Sequence, residues 1–171
     1  MNAKLNLKNK PWQGILSNQE TLSNVAELDL RENNITDEQA IRICQTFLPQ
    51  MSNLRKLYLN GNNIRHASSI FPMVTRCSSL EVLSICDNEM TGNIGEEIKM
   101  MNKMRIFSAS GNNLTSVDMS LFMIPTLVTC LLSGNSTLIQ PPYAAIEACQ
   151  DETGNCMPKM KDDEVIAAIL F

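Results

Sequence analysis

The sequence predicts an α/β solenoid of about five units, with a parallel sheet on a concave side and helical or irregular returns on the convex side. Three observations predict it. A nine-residue pattern recurs five times, at residues 25–33, 54–62, 80–88, 104–112 and 127–135. In every copy apolar residues or cysteine hold the first and fourth places, an apolar residue the sixth and asparagine the ninth. The copies start 29, 26, 24 and 23 residues apart, a spacing at which each unit buries its apolar face only by stacking on its neighbours.

Strand side chains alternate, so places four and six point one way and places three, five and seven the other. The inward set is Leu28/Leu30, Leu57/Leu59, Leu83/Ile85, Phe107/Ala109 and Cys130/Leu132. All ten are apolar or cysteine. The ninth-place residues Asn33, Asn62, Asn88, Asn112 and Asn135 have a structural task. The chain turns after each strand and leaves backbone N–H and C=O groups inside the stack. An amide side chain carries both a donor and an acceptor for them.

The pattern, L-x-x-L-x-L-x-x-N, is similar to that of the leucine-rich repeats, and it covers roughly two-thirds of the chain. The resemblance implies a curved stack whose concave face binds other proteins.

The elements follow in order. Residues 1–24 hold Leu5, Leu7, Trp12, Ile15, Leu16 and Leu22 and are expected to form an N-terminal cap or an incomplete repeat, with Trp12 packed on the first repeat. The repeats proper occupy residues 25–138. The first return opens with Thr36-Asp37-Glu38-Gln39, a capping-box-like helix start. Ile41, Cys44, Leu48 and Met51 mark its helical face. Its 29-residue repeat resembles the ribonuclease-inhibitor type. The second return, 65–79, carries Pro72 and is expected to hold a shorter or broken helix. The third begins Met90-Thr91-Gly92-Asn93-Ile94-Gly95, similar to the L-T-G-x-I-P start of plant-type repeats; Ile94, Ile98 and Met101 suggest a helical turn or two. The fourth, 117–125, is short. Residues 139–171 are expected to be a helical C-terminal cap, with one helix over 143–149 and a last one from Asp162 whose apolar face is Val165, Ile166, Ile169 and Leu170.

Composition narrows the function classes. The net charge is −4 and the pI about 5.0, against the basic face that nucleic acid selects. The longest apolar runs are too short for a spanning helix, and the N-terminus lacks the apolar core of a secretory signal. No nucleic acid, membrane or cofactor is expected. The single histidine, His66, has no predictable nucleophile nearby, no phosphate-binding glycine loop occurs, and no metal-ligand spacing is present. No catalytic residue is assigned. Six cysteines occupy positions that read as small buried thiols, as at Cys44, Cys77 and Cys130. Cys149 and Cys156 are the one pair placed to bridge. Reduced thiols point to a cytoplasmic protein, with cytoskeletal assemblies among the settings that use such small modules.

The expected function is non-catalytic: a scaffold, adaptor or subunit of a larger complex that binds a protein partner. Outward places form three columns. The third-place column is Glu27, Lys56, Val82, Ile106 and Thr129. The fifth is Asp29, Tyr58, Ser84, Ser108 and Leu131. The seventh is Arg31, Asn60, Cys86, Ser110 and Ser133. A partner is expected across Tyr58, Val82, Ile106 and Leu131, with Ser84 and Ser108 between them and Glu27, Asp29, Arg31 and Lys56 at one rim. Two alternatives remain: an inhibitor or regulator of an enzyme, of ribonuclease-inhibitor type, and a secreted or receptor-type recognition domain.

Overall fold

The computed structural model describes residues 3–17 and 22–139. Eight strands form two parallel sheets. The larger contains β1 (Ala3–Asn6), β2 (Val25–Asp29), β3 (Lys56–Tyr58), β4 (Val82–Ser84), β6 (Ile106–Ser108) and β8 (Thr129–Leu131), side by side in chain order. The smaller pairs β5 (Thr91–Ile94) with β7 (Asn113–Val117). This is the leucine-rich-repeat solenoid that the pattern predicts.

The register is uniform. Glu27, Lys56, Val82, Ile106 and Thr129 stand side by side, and so do Asp29, Tyr58, Ser84, Ser108 and Leu131. All ten inward residues are buried, from Leu28, fully covered, to Leu132 at 8% exposure. Phe71 of the second return reaches the fourth repeat, its ring 6.2 Å from that of Phe107. Trp12 is buried at 3% exposure in the same core.

The asparagines form a ladder with one recurring geometry. Asn88 Oδ1 accepts from the Ile64 N–H of the repeat before it. Its Nδ2 donates to the carbonyls of Leu59 in that repeat and Ile85 in its own. Asn112 repeats this with Met90, Ile85 and Ala109, and Asn135 with Leu114, Ala109 and Leu132. Asn62 accepts from Asn33 and Ile35 and donates to Leu30 and Leu59. These four are buried. Asn33 is half-buried, because only the short segment 3–10 lies in front of it. It still accepts from Lys10 and donates to Leu7.

A second constant sits one residue earlier. The eighth place is left-handed in every repeat: Gly61 (φ 64°), Gly111 (φ 67°), Gly134 (φ 72°), and also Glu32 (φ 57°) and Asp87 (φ 52°). Glycine holds that conformation without strain; side chains reach it at a cost of about 1–2 kcal/mol. Asn9 (φ 51°) occupies the matching turn after β1. Residues 3–10 thus supply the strand and turn of a further arc, with Lys4 opposite Glu27 and Asn6 opposite Asp29.

The returns differ from one another. The first begins with α2 (Asp37–Arg42), following the four-residue α1 (Gln13–Leu16) near the N-terminus. Gln39 accepts from the Thr36 N–H as the capping box requires. The helix then widens over Ile43–Phe47 and tightens over Leu48–Gln50. Its buried face is Ala40, Ile43, Cys44, Phe47, Leu48 and Met51, while Ile41 is only half-buried. The expected stripe was therefore shifted at its start. In the second return a short turn, Ala67–Ser69, precedes the four-residue α3 (Phe71–Val74) containing Pro72, the broken helix that proline dictates. The third is extended in β5 before the tight turn Glu96–Met100, and the fourth in β7 before Met119–Leu121. The β5–β7 sheet is prolonged by bridges at Thr36–Asn63 and His66–Thr91. The repeat pattern predicts one parallel sheet, and this second sheet is an addition to it. The expected helices over 143–149 and from Asp162, and the Cys149–Cys156 pair, lie outside the described residues.

Replacing Asn88 by alanine strips a buried turn of one acceptor and its donors, at about 1–3 kcal/mol for each group left unpaired. Urea denaturation of Asn62→Ala and Asn88→Ala should show losses of that order with native far-UV CD. Unchanged midpoints in both would remove the ladder from the fold's support.

Candidate interaction face

The open face of the larger sheet divides into two halves of different chemistry. In the N-terminal half every charge is met. Glu27 bridges Lys4 (2.5 Å) and Lys56 (3.7 Å), and Glu32 holds Lys8 (2.8 Å). These pairs are exposed and screened by solvent, so they contribute little to stability. Lys4 and Lys8 join the face through β1 and its turn, which precede the five nine-residue repeats. Their signal was the Leu5-x-Leu7 alternation.

Asp29 differs from the rest. It lies at 0% exposure on the open side of the sheet, held by Arg31 two residues on, just past the end of β2. Arg31 Nε donates to Oδ1 at 2.9 Å and Nη2 to Oδ2 at 2.6 Å, while the Arg31 backbone N–H adds a third bond to Oδ1 at 3.2 Å. The Arg31 side-chain bonds hold the Asp29 carboxyl below its usual range, against the burial that pushes it up. The same guanidinium lies over the Tyr58 ring, 5.4 Å from its centre, a cation–π contact. Asp29 thus orients Arg31, and Arg31 and Tyr58 form one platform. Asp29 was expected at an exposed rim; the structure places it beneath that platform.

The C-terminal half carries no charge in its three columns. Ile106 is 38% exposed, and Val82, Tyr58, Leu131 and Thr129 are half-buried around it. Between Tyr58 and Leu131 the floor is low and hydroxyl-lined. Ser84 and Ser108 are buried at 9% and 6% exposure. Cys86 Sγ lies 2.8 Å from Ser108 Oγ, and Ser133 Oγ donates to Ser110 Oγ at 3.2 Å. Asn60, beside Arg31 in the seventh column, has a buried Oδ1 with no partner among the described residues. Cys86 and Asn60 both stand in the outward seventh-place column, outside the expected binding strip. The structure therefore groups Tyr58, Val82, Ile106 and Leu131 on one face, sets Ser84 and Ser108 beneath them, and leaves Glu27, Lys56 and Arg31 to one side.

Residues suited to chemistry are tied up elsewhere. His66 Nδ1 lies 2.9 Å from Asp37 Oδ2, and Asp37 Oδ1 accepts from the backbone N–H of Arg65 and His66 at 3.1 Å. Burial pushes the Asp37 carboxyl up, but these bonds outweigh it and hold it low. The arrangement clips the first return to the second. Among the described residues no group of three or more metal-ligating side chains occurs, and no helix is long and apolar enough to cross a membrane. The described cysteines, Cys44, Cys77, Cys86 and Cys130, are free thiols.

Family models described as Leucine Rich repeat and Leucine Rich Repeat match residues 21–44 and 53–76. No curated protein sequence matches the chain. Among solved structures, a leucine-rich-repeat protein of Leptospira interrogans is similar over 85% of this chain and 33% of its own, with 22% identity and a TM-score of 0.62. A chain from the BIR3–SERK2 complex of Arabidopsis thaliana matches 70% of this chain and 59% of its own at 24% identity and TM-score 0.56. A chain from the Arabidopsis receptor kinase HAESA, in complex with the peptide hormone IDA and the co-receptor SERK1, matches 65% and 18% at 21% identity and TM-score 0.51. The chain spans less than two-thirds of each of these, and the likeness is one of fold.

The lowered Asp29 value makes a signed prediction. A carboxyl whose folded pKa is depressed adds stability above its unfolded value, 3.8, and loses it as pH falls through the folded value. Asp29→Asn should cost about 1.5–3 kcal/mol at neutral pH, the scale of a charge-assisted bond. Chemical denaturation across pH should show the gap closing below 3.8. A gap independent of pH would mean that Asp29 does not act through its charge.

Proposed function

Because the chain is a leucine-rich-repeat protein, we propose that it is a non-catalytic interaction module, a scaffold, adaptor or subunit of a larger assembly. It takes a protein partner on the concave face of its larger sheet. The observation that carries this reading is the contrast between the two halves of that face. Charges on one side are neutralised in pairs or locked down, as in Asp29–Arg31. On the other side Ile106 stands 38% exposed, with Val82, Tyr58 and Leu131 around it. Clustered exposed apolar residues mark interaction surfaces, and tyrosine and arginine are frequent anchors in them. Tyr58, stacked under Arg31, is pre-positioned and loses little side-chain freedom on binding. Lys56 and Glu27 contribute orientation at the rim more than affinity.

A cytoplasmic setting is supported by the free thiols at Cys44, Cys77, Cys86 and Cys130. One observation favours a second reading, a secreted or receptor-type recognition domain. The Thr91–Ile94 strand follows the plant-type pattern and pairs with Asn113–Val117 in a second sheet, and two of the similar folds come from complexes of Arabidopsis proteins. In one of them, that of the receptor kinase HAESA, the named partners are a peptide hormone and a co-receptor.

Two experiments bear on these readings. Affinity capture from the native source should recover a protein partner with the wild-type chain and lose it with Val82→Glu/Ile106→Glu, whose CD spectrum stays native. Retained capture would place the partner elsewhere. Thiol counting in denaturant should give six free thiols for a cytoplasmic protein; a lower count on protein from its native source would favour the secreted reading.

A further inference from the structure

The two ends of the strands carry opposite charge. At the N-terminal ends the second places of the repeats, Arg55, Glu81, Arg105 and Val128, stand side by side. The Arg105 N–H donates to the Glu81 carbonyl and the Val128 N–H to the Arg105 carbonyl. Lys103 precedes Arg105 by two residues, and both are exposed. This rim sets three cations against one carboxylate, in a chain whose net charge is −4. Glu81 leans to Arg55 at 3.6 Å, away from Arg105. At the opposite ends the eighth-place turns hold Glu32 and Asp87, both exposed. Glu32 is paired with Lys8. The Asp87 carboxylate leans over Gly111 of the next repeat, into space that a side chain there would fill. Arg105 and Asp87 therefore bracket the same two central strands.

Between the rims lies the apolar strip. Tyr58 and Leu131 stand at the ends of the fifth-place column with only Ser84 and Ser108 between them. Strands about 4.8 Å apart put those ends about 14 Å from each other. The two serines form a low floor, and the apolar surface comes from Ile106, Val82, Tyr58 and Leu131 above it. Arg105 differs from the exposed Arg42 and Arg76 in its place, since those belong to the returns while Arg105 directly precedes Ile106 on this face. Taking the open face as the interaction surface, we propose that its occupant is an acidic and apolar segment of a partner protein. A bulky apolar side chain packs on Ile106 and Val82 between Tyr58 and Leu131. A carboxylate within about 10 Å of it, three residues along the strand direction, meets Arg105. Asp87 repels such a carboxylate from the other end, so the segment takes one direction across the face.

Peptide selection tests this. Random peptides displayed on phage are selected on the full chain, and those that lose binding to Val82→Ser/Ile106→Ser, which removes apolar surface without adding charge, are sequenced. Asp or Glu should be enriched beside an aromatic or aliphatic residue. A synthetic peptide of that sequence should bind Arg105→Glu about tenfold more weakly than the wild type, the scale of one charged contact. Exchanging the peptide's acid for lysine should reverse the preference, which also shows that the variant is folded. Face-dependent peptides without acidic enrichment, or a peptide that binds Arg105→Glu as well as the wild type, would overturn this inference and leave the interaction face standing. Recovery only of peptides indifferent to Val82→Ser/Ile106→Ser would count against the face itself, and the inference would fall with it.

Discussion

Everything in this molecule depends on one amide per repeat. Asn88 bonds to Ile64, Leu59 and Ile85 at once, so a single buried side chain closes its own turn and fastens it to the repeat in front. A backbone that turns inside a core must have its N–H and C=O groups paired. Here the pairing partner comes from the next repeat, which makes every turn a splice between neighbours. The strands can be as short as three residues because the splice, not the strand, holds the register. The left-handed eighth place follows from the same geometry: the chain must reverse sharply to bring the amide inward.

A fixed inner edge leaves the outer edge free to vary, and it does. The first return is helical, the second is a broken helix, and the third and fourth are extended strands that pair with each other. Each change of type is a local mismatch. Between the first and second returns the mismatch leaves a hollow beside Leu48, Met51 and Cys77. Between the second and third, the His66–Thr91 bridge carries the small sheet across. The solenoid is regular where the ladder dictates and individual in its returns.

This divides what was legible in the sequence from what was not. The inward residues and all three columns could be read because each place in the repeat has its own physical demand. Leu5 and Leu7 showed the alternation of a strand, but Lys10 stands where asparagine would mark the turn, so the strand Ala3–Asn6 did not match the pattern. Backbone suffices there: Lys10 offers its N–H to Asn33. The second sheet was hidden because Thr91–Ile94 and Asn113–Val117 are short, polar and separated by a whole repeat. A strand with no apolar alternation is stabilised by its partner, and the partner is not visible from either segment alone. The burial of Asp29 was missed for another reason. Its place points outward, and only the return of Arg31 onto it, two residues on, takes it from water. That Tyr58, Val82, Ile106 and Leu131 share one face followed from the register.

The central claim is that the ladder, rather than the short strands, couples the repeats. Native-state hydrogen exchange at the amides that donate to the ladder tests it most directly. Ile64 and Met90 lie outside the strands and Leu114 in β7 of the smaller sheet, yet all three bond to the ladder, to Asn88, Asn112 and Asn135. If the ladder couples the stack, these three amides exchange only through global unfolding, as slowly as the strand amides of Leu57, Leu83 and Phe107. Exchange at Ile64 and Met90 as fast as in exposed loops, with the strand amides still protected, would show that the repeats are held together by something else.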